Sequence, residues 1–307
     1  MNIRQLQLLS QVVDCDLNIS RAARMAHTSQ PSVSRHLQAL ESQLGIRIFV
    51  RNKRKVEGLT TTGHQVLESA RRILYEVESL NELGKASDTD QHGSITIGAS
   101  HTYARYALPT VVRAFMQRYP HVRLVLRQGD PQQILNWASA GATDIAVCAE
   151  PNDRPKSIIF FSCNRHERLI LTPRDHPLVK LKKPTLRQLS DHPIITYDSQ
   201  FAIHKSIVRA FEAQGLEPNI VLTATDVDVM KTYVKCGLGV AVVASLAYNE
   251  GDDLDLVAIN ANHLFEPTTI KLGVRKGAFL RSYVFDFIEL FAPQLNRDQI
   301  QRALIAE

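Results

Sequence analysis

The sequence predicts an α+β multidomain chain: a small basic winged helix-turn-helix, a long linker helix, and a two-lobed α/β effector module. Three observations predict it. The formal net charge of +5 lies wholly in residues 1–64, which hold nine Lys and Arg against four Asp and Glu, while the remaining 243 residues hold 27 of each. Apolar residues recur at helical spacing as far as about residue 80. From residue 93 onward, strand-like and helix-like runs alternate, which is the pattern of a mostly parallel sheet covered by helices. At roughly 100–200 residues per domain, 307 residues make two or three domains. With 44% hydrophobic and 22% charged residues, the chain is not a long disordered one.

In the first segment Leu6, Leu9 and Val13 recur at spacings of three and four, which predicts an amphipathic helix. Ser20–Ala26 reads as a short second helix whose paired alanines allow close helix approach, and His27-Thr28 as a brief turn. Ser29 or Thr28 caps a third helix, with Pro31 in its first turn, where a missing N–H does no harm. Val33, Leu37, Leu40 and Leu44 form its inward stripe, and Gly45 marks its end. Two helices joined by a short turn form a helix-turn-helix, in which the N-terminal residues of the second helix meet base edges in the major groove. Gln pairs with adenine, Arg with guanine, and Ser with base or phosphate. Beyond Gly45, four cations fall between Arg51 and Lys55, followed by Thr60, Thr61 and Thr62. This reads as a hairpin wing gripping phosphate, which supplies affinity and salt dependence but little sequence information. The expected DNA contacts are Ser20, Arg21, Thr28, Ser29, Gln30, Pro31, Ser32, Ser34, Arg35 and Gln38 from the helices, and Arg51, Lys53, Arg54 and Lys55 from the wing. On charge alone the anionic partner is nucleic acid first and a membrane surface second, and a basic run can also be only a solvated face.

Val66, Ala70, Ile73, Val77 and Leu80 repeat at four, three, four and three, a heptad-like seam. A homodimer is its simplest partner, and burial against the chain's own domains is the alternative. Asp88–Gly93 reads as a linker. The expected domains are therefore 1–61, 62–92 and 93–307. The last divides into lobe I, about 93–163 plus 267–295, and lobe II, about 164–266.

In lobe I the reading is a strand at Ser94–Ala99, one helix over Ala104–Arg118 with Leu108, Val111, Val112 and Phe115 inward, a strand at Val122–Arg127, a helix at Pro131–Ala140 and a strand at Asp144–Ala149. Strands follow near Arg168–Thr172, Ile194–Tyr197, Ile220–Thr223 and Val240–Val243, with helices near Ile203–Ala213 and Val227–Cys236. The tail carries a strand at Thr268–Arg275 and a helix at Tyr283–Phe291. In such sheets ligands sit beyond the carboxyl ends of strands. Three loops qualify. Ser100, His101, Thr102 and Tyr103 form the first, Tyr197 to Phe201 the second, with Ala202 next to it, and Thr223, Thr225 and Asp226 the third. Gln128, Ala149 and Glu150, at the ends of two further strands, complete the candidate effector set. Each loop also precedes a helix that needs a cap regardless.

No stretch approaches the roughly 20 apolar residues that span a bilayer, and no signal peptide is read at the start. Cys15, Cys148, Cys163 and Cys236 are far apart and read as reduced thiols in a cytoplasmic protein. The motifs GxSxG and HExxH, a P-loop and paired metal ligands are all missing. Gly237-Leu-Gly239 is half a dinucleotide fingerprint in the wrong order, after a helix and before a strand.

The run Asp16–Arg51, and most specifically Ala22–Phe49 with its TSQPSVSRHLQALESQLGIRIF, resembles the N-terminal domain of LysR-type transcriptional regulators. His101–Pro109, Thr223–Ala244 and Lys271–Pro293 resemble the CysB-like branch of that family. The resemblance implies a winged helix-turn-helix, a dimerising linker helix, an effector domain like periplasmic solute-binding proteins, and a homotetramer. It further implies control of sulfate or sulfonate use, with acetylated serine, sulfate or related sulfur compounds as effectors. The chain departs from the branch in its pocket: Ser100 and Thr102 are kept, but Tyr103 stands where Gln is usual, and Ala149 and Ala202 where Thr is usual. Fewer hydroxyl donors and more space favour an effector larger than free sulfate.

The expected partners are double-stranded DNA, a small-molecule effector, a second copy of the chain and RNA polymerase, with no membrane and no cofactor. Within the resembled family the alternative is a regulator of an unrelated pathway with a non-sulfur effector. The rival readings from other classes are, first, a small-molecule enzyme or transport-type binding protein with a basic appendage and, second, a nonspecific nucleoid-type binder. The missing catalytic motifs argue against the first and the large ligand-shaped module against the second.

Overall fold

The computed structural model describes residues 1–52, 55–83, 92–149, 151 and 154–305, with side chains for all but residues 55, 72, 75, 76 and 78–83. The chain divides into two compact units, one of residues 1–88 and one of residues 89–139 and 143–307.

In the first unit, α1 (Ile3–Asp14) opens on a reciprocal cap between Asn2 and Gln5, which satisfies donors a helix start leaves bare. Asn18 caps α2 (Ile19–Met25), and Ser29 caps α3 (Gln30–Leu44) by accepting from the Ser32 amide. His27, at φ 50°, makes the turn between them. Gly45 ends α3 at φ 68°, a left-handed conformation that costs glycine least. Val33, Leu37 and Leu40 are buried as expected, with Leu6, Leu8, Leu9 and Val12 of α1 in the same core. Leu44 corrects the stripe: it is 37% exposed, at the last residue of the helix. Strands β1 (Phe49–Asn52) and β2 (Lys55–Leu59) pair antiparallel as a hairpin with Asn52 opposite Lys55. Lys53, Arg54 and the Lys55 side chain lie outside the described residues.

Helix α4 spans Thr61–Leu83. A Cβ on Gly63 would lie 2.1 Å from the Ile48 carbonyl oxygen, so only glycine fits this close approach. The head-side turns of α4 pack on their own chain. Leu67 and Ala70 are buried in the head core with Val66 and Leu74 beside them, and Arg71 donates to Asp14 of α1. This corrects the expected seam at Ala70, which its own chain consumes. Ile73 stays 39% exposed, the Leu80 side chain lies outside the described residues, and so does most of the expected linker.

The second unit holds two five-stranded sheets. The first lobe begins with β3 (Gly93–Ala99), α5 (His101–Tyr106), α6 (Leu108–Arg118), β4 (Val122–Gln128), α7 (Pro131–Ser139), β5 (Ile145–Ala149) and β6 (Ile158–His166). The second lobe comprises β7 (Arg168–Pro173), α8 (Leu186–Ser190), β8 (Ile194–Tyr197), α9 (Ala202–Glu212), β9 (Ile220–Ala224), α10 (Val227–Lys235), β10 (Val240–Ala244) and β11 (Leu256–Asn260). The chain then returns with β12 (Thr268–Arg275), α11 (Ser282–Phe291) and α12 (Arg297–Ile305) to the first lobe, whose core takes in Ile300 and Leu304. Its sheet runs β4-β3-β5-β12-β6 and that of the second lobe β11-β7-β10-β8-β9. Only two stretches of chain therefore link the sheets, between β6 and β7 and between β11 and β12.

Two expectations are corrected. The single helix over 104–118 is two helices broken at Ala107, because Pro109 has no amide to continue α5 and starts α6 instead. The mostly parallel sheets are mixed. β3 is parallel to β4 and β5, and β8 to β9 and β10, but β12 runs antiparallel to β5 and β6, and β7 to β10 and β11. Strands β6 and β11, on which the sequence reading places nothing, supply part of these antiparallel halves.

Candidate effector cleft and nucleic-acid interface

In the first unit the N-terminal end of α3 is open. Ser29, Gln30, Pro31, Arg35 and Gln38 are exposed, with Ser20 and Arg21 of α2, while Thr28, Ser32 and Ser34 are half-buried. The Ser20 hydroxyl donates to Gln30 at 3.1 Å, which ties the starts of the two helices together. Glu41 fixes the wing to α3: its carboxylate accepts from the Ile48 amide (2.8 Å), the Phe49 amide (3.1 Å) and the Arg51 guanidinium (2.7 Å). Arg51 is thus tied to a carboxylate inside the head. Through Glu41, α3 and the hairpin are one braced piece.

In the second unit a cavity of about 320 Å³ lies between the two lobes. Helix α5, the start of α7 and the carboxyl ends of β5, β8 and β10 form part of its wall, the start of α9 another, and the chain around the two crossings between the sheets a third. Ser100, Thr102, Tyr103, Ala149, Tyr197, Phe201 and Ala202, all expected from the sequence, line it. Ser100 is the N-cap of α5 but makes no side-chain capping bond. The Thr102 and Tyr197 hydroxyls meet across the lobes at 3.1 Å, either one donating. Burial pushes the Tyr197 phenol up to about 12 and raises that of Tyr103 further, so both are neutral hydrogen-bond donors at physiological pH.

The other expected effector residues are not brought there. His101 and Gln128 do not line the cavity. Thr223 and Thr225 are exposed, and Asp226 spends its carboxylate capping α10. The reason is strand order: β9 is an edge strand, beyond β8, so the loop that follows it is carried away from the cleft. Glu150 lies outside the described residues.

Sequence reasoning missed the linking stretches, which bring Arg165, Arg168, Glu266, Thr268 and Thr269 to the cavity. Arg168 is 6% exposed; its Nε donates to the Glu266 carbonyl at 3.1 Å, and no carboxylate pairs with it among the described residues. Burial pulls its pKa below the ordinary value, yet an arginine stays cationic at neutral pH. The Thr268 hydroxyl, in a residue 8% exposed, has no partner among the described residues. The available signal was a lone arginine opening the apolar run RLILTP.

A second bridge between the lobes lies behind α5. Tyr106 donates to Asp228 at 2.6 Å and accepts from Lys231 at 2.9 Å. Lys231 also pairs with Asp253 at 2.7 Å, and Arg105 with Asp228 at 3.1 Å. Among the described residues no group of three or more His, Cys, Asp and Glu gathers that could hold a metal, and no helix is long and apolar enough to cross a membrane. Cys15 and Cys148 are buried, Cys163 half-buried and Cys236 exposed, and none of the four is in a disulfide. Burial pushes the Cys163 thiol up to about 11, away from reactivity.

A braced basic helix-turn-helix and a two-lobed α/β module with an interlobe cavity in one chain define a ligand-responsive DNA-binding regulator. The family models agree: residues 3–64 match the bacterial regulatory helix-turn-helix protein, lysR family, and residues 88–296 match the LysR substrate binding domain. The chain belongs to the LysR family of transcriptional regulators. It is 41% identical to the HTH-type transcriptional regulator SsuR of Burkholderia cenocepacia over 98% of its own length and 97% of the relative's. It is 41% identical to the regulator CysB of the same organism over 100% and 98%. The crystal structure of the cofactor-binding domain of the Cbl transcriptional regulator superposes with a TM-score of 0.68 at 37% identity, covering 72% of this chain and 96% of that one. These relatives are regulators, and this chain is a regulator too, not an enzyme.

Proposed function

We propose that this LysR-family regulator controls genes of sulfur assimilation in the cytoplasm, and that the cleft between its two α/β lobes binds the controlling effector. The similarity to CysB and SsuR along nearly the whole chain supports the sulfur assignment. The observation that carries the effector assignment is the 320 Å³ interlobe cavity, at the small end of the range for organic ligands and lined from both lobes. The effector is a sulfur compound or acetylserine larger than sulfate. Tyr103, Ala149 and Ala202 give the cavity an aromatic wall and open space where hydroxyl donors for a bare oxyanion would be needed.

At DNA, the exposed start of α3 reads the major groove through Gln30, Ser32, Ser34, Arg35 and Gln38, with Ser20, Arg21, Thr28, Ser29 and Pro31 at its margin. Arg51, Lys53, Arg54 and Lys55 meet phosphate. Residues 62–92 join two copies, and the assembled homotetramer recruits RNA polymerase. Effector binding shifts how the paired heads engage DNA, so DNA shifts effector affinity by the same factor.

The test is selection of duplexes from the host genome by the full chain, followed by anisotropy titration across salt. Fragments upstream of sulfate- or sulfonate-use genes should be enriched, and the best should bind about 1000-fold or more tighter than random duplex. The slope of log affinity on log salt should be steep, about −0.9 per phosphate neutralised. Arg35→Ala should reduce sequence discrimination. Equal binding to random DNA would defeat the specific-regulator reading, and enrichment of unrelated promoters would defeat the sulfur assignment.

A further inference from the structure

We infer that Arg168 fixes the charge of the effector: the cleft takes a small organic monoanion, its carboxylate or sulfonate head on Arg168 and its apolar body against Tyr103, Phe201 and Ile203. This rests on the effector site proposed above and deepens it. A buried guanidinium with a single backbone acceptor is costly unless an anion completes it. The carbonyl of Glu266 takes Nε, so the two terminal nitrogens are the part of the fork without an acceptor among the described residues. That geometry suits two oxygens of one head group. Thr268, the first residue of β12, adds a buried hydroxyl without a partner among the described residues to the lining.

The charge count indicates one negative charge. The other charged residues described in the lining are Arg165 and Glu266, both exposed and opposite in sign. They offset each other, and among the described lining residues Arg168 remains as the net +1. A dianion such as sulfate would be left with an uncompensated charge and no contact with the apolar wall. Tyr103, Phe201 and Ile203 are each buried and face the cavity, which supplies an apolar body with surface to cover.

The experiment is calorimetric titration of the full chain with four probes: benzenesulfonate, benzoate, the neutral benzenesulfonamide, and inorganic sulfate. The expected result is that at least one aromatic anion binds about tenfold or more tighter than both benzenesulfonamide and sulfate. The tighter of the two anions identifies the head group. In Arg168→Gln the anion-over-neutral ratio should collapse to about threefold or less, and Arg168→Lys should restore part of it. If Arg168→Gln fails to fold, the wild-type ratios and Arg168→Lys decide. Sulfate binding tightest, benzenesulfonamide matching the anions, or no response to any charged probe would each overturn the inference. The same preparation is titrated with DNA. Absent DNA binding would count against the regulator reading, whereas normal DNA binding with no anion preference defeats the Arg168 assignment alone.

Discussion

Lys231 and Arg168 are both buried cations where the two lobes meet, 5% and 6% exposed, yet their surroundings differ. Lys231 has the Asp253 carboxylate at 2.7 Å, the Tyr106 hydroxyl at 2.9 Å and the face of the Tyr106 ring at 4.9 Å. Arg168 has one backbone carbonyl and a cavity. Burial alone does not separate a structural charge from a ligand-binding one; how fully the protein satisfies it does. Lys231 completes a bridge of the fold itself, and Arg168 has no carboxylate among the described residues.

The largest effect should come from unbalancing the satisfied pair. Asp253→Ala takes the nearest carboxylate from the buried Lys231 ammonium, leaving the Tyr106 hydroxyl at 2.9 Å and the Asp228 carboxylate at 4.0 Å, and should cost about 3 kcal/mol, measured by urea unfolding of the full chain. Replacing both partners, as Lys231→Met with Asp253→Leu, should recover part of that loss, because the ammonium is removed together with its carboxylate while Asp228 keeps Tyr106 and Arg105. A single variant within about 1 kcal/mol of wild type would mean that Lys231 reaches another acceptor, and the contrast with Arg168 would lapse.

The parts of this comparison differ in how far the sequence shows them. Locally encoded features are legible. The stripe Val33, Leu37 and Leu40, the Ser29 cap and the Gly45 stop all lie within one helix, and apolar runs such as Val240–Ala244 announce central strands. Helix α12 is missed because only Ile300 and Leu304 of its nine residues are buried, too little for a visible period. β11 is missed because it lies at a sheet edge with a broken burial pattern. The cavity follows the same division. Its loops after strands are legible, since Ser100–Tyr103 and Tyr197–Ala202 sit where the fold class puts ligands. Arg168 and Thr268 are not, because two crossings about a hundred residues apart in sequence make that part of the lining, and no local pattern reports such a meeting. The third loop is misread for the related reason that strand order, which puts β9 at the edge, is a tertiary fact.

Next in size is Tyr106→Phe. The phenol both donates to Asp228 and accepts from Lys231, so its loss should cost about 1–3 kcal/mol in the same unfolding measurement. Tyr106 lies on the helix that presents Thr102 and Tyr103 to the cavity, so effector affinity should fall as well. Unchanged affinity with lowered stability would show that the bridge holds the lobes without informing the cleft. Arg168→Met sharpens the comparison from the other side. In the ligand-free chain it removes an unsatisfied cation and one hydrogen bond, so stability should stay within about 1 kcal/mol of wild type. A loss as large as that of Asp253→Ala would mean that Arg168 is as structural as Lys231.

The smallest effect concerns a third way of accommodating a basic side chain, which is to keep it neutral. His176 precedes the short helical turn Pro177–Lys180 and its Nδ1 accepts from the Leu178 amide at 3.3 Å, a bond that protonation there abolishes. Burial first, and the neighbouring His192 ring at 4.5 Å second, hold its pKa below the ordinary 6.5. In the unfolded chain it titrates near 6.5, so below that value the unfolded state binds more protons. Its contribution is therefore whole above about pH 6.5 and is lost as the pH falls through the lower folded value. His166, lowered by burial, acts with the same sign. Unfolding measured from pH 7.5 down to pH 5.5 should show stability falling, and His176→Asn, which keeps a capping acceptor without the titration, should flatten part of that fall. An unchanged pH profile in this variant would mean that the histidine accepts its proton in the folded chain as readily as in water. Lobe II would then hold only two of the three arrangements, a cation paired within the protein and a cation left for a ligand.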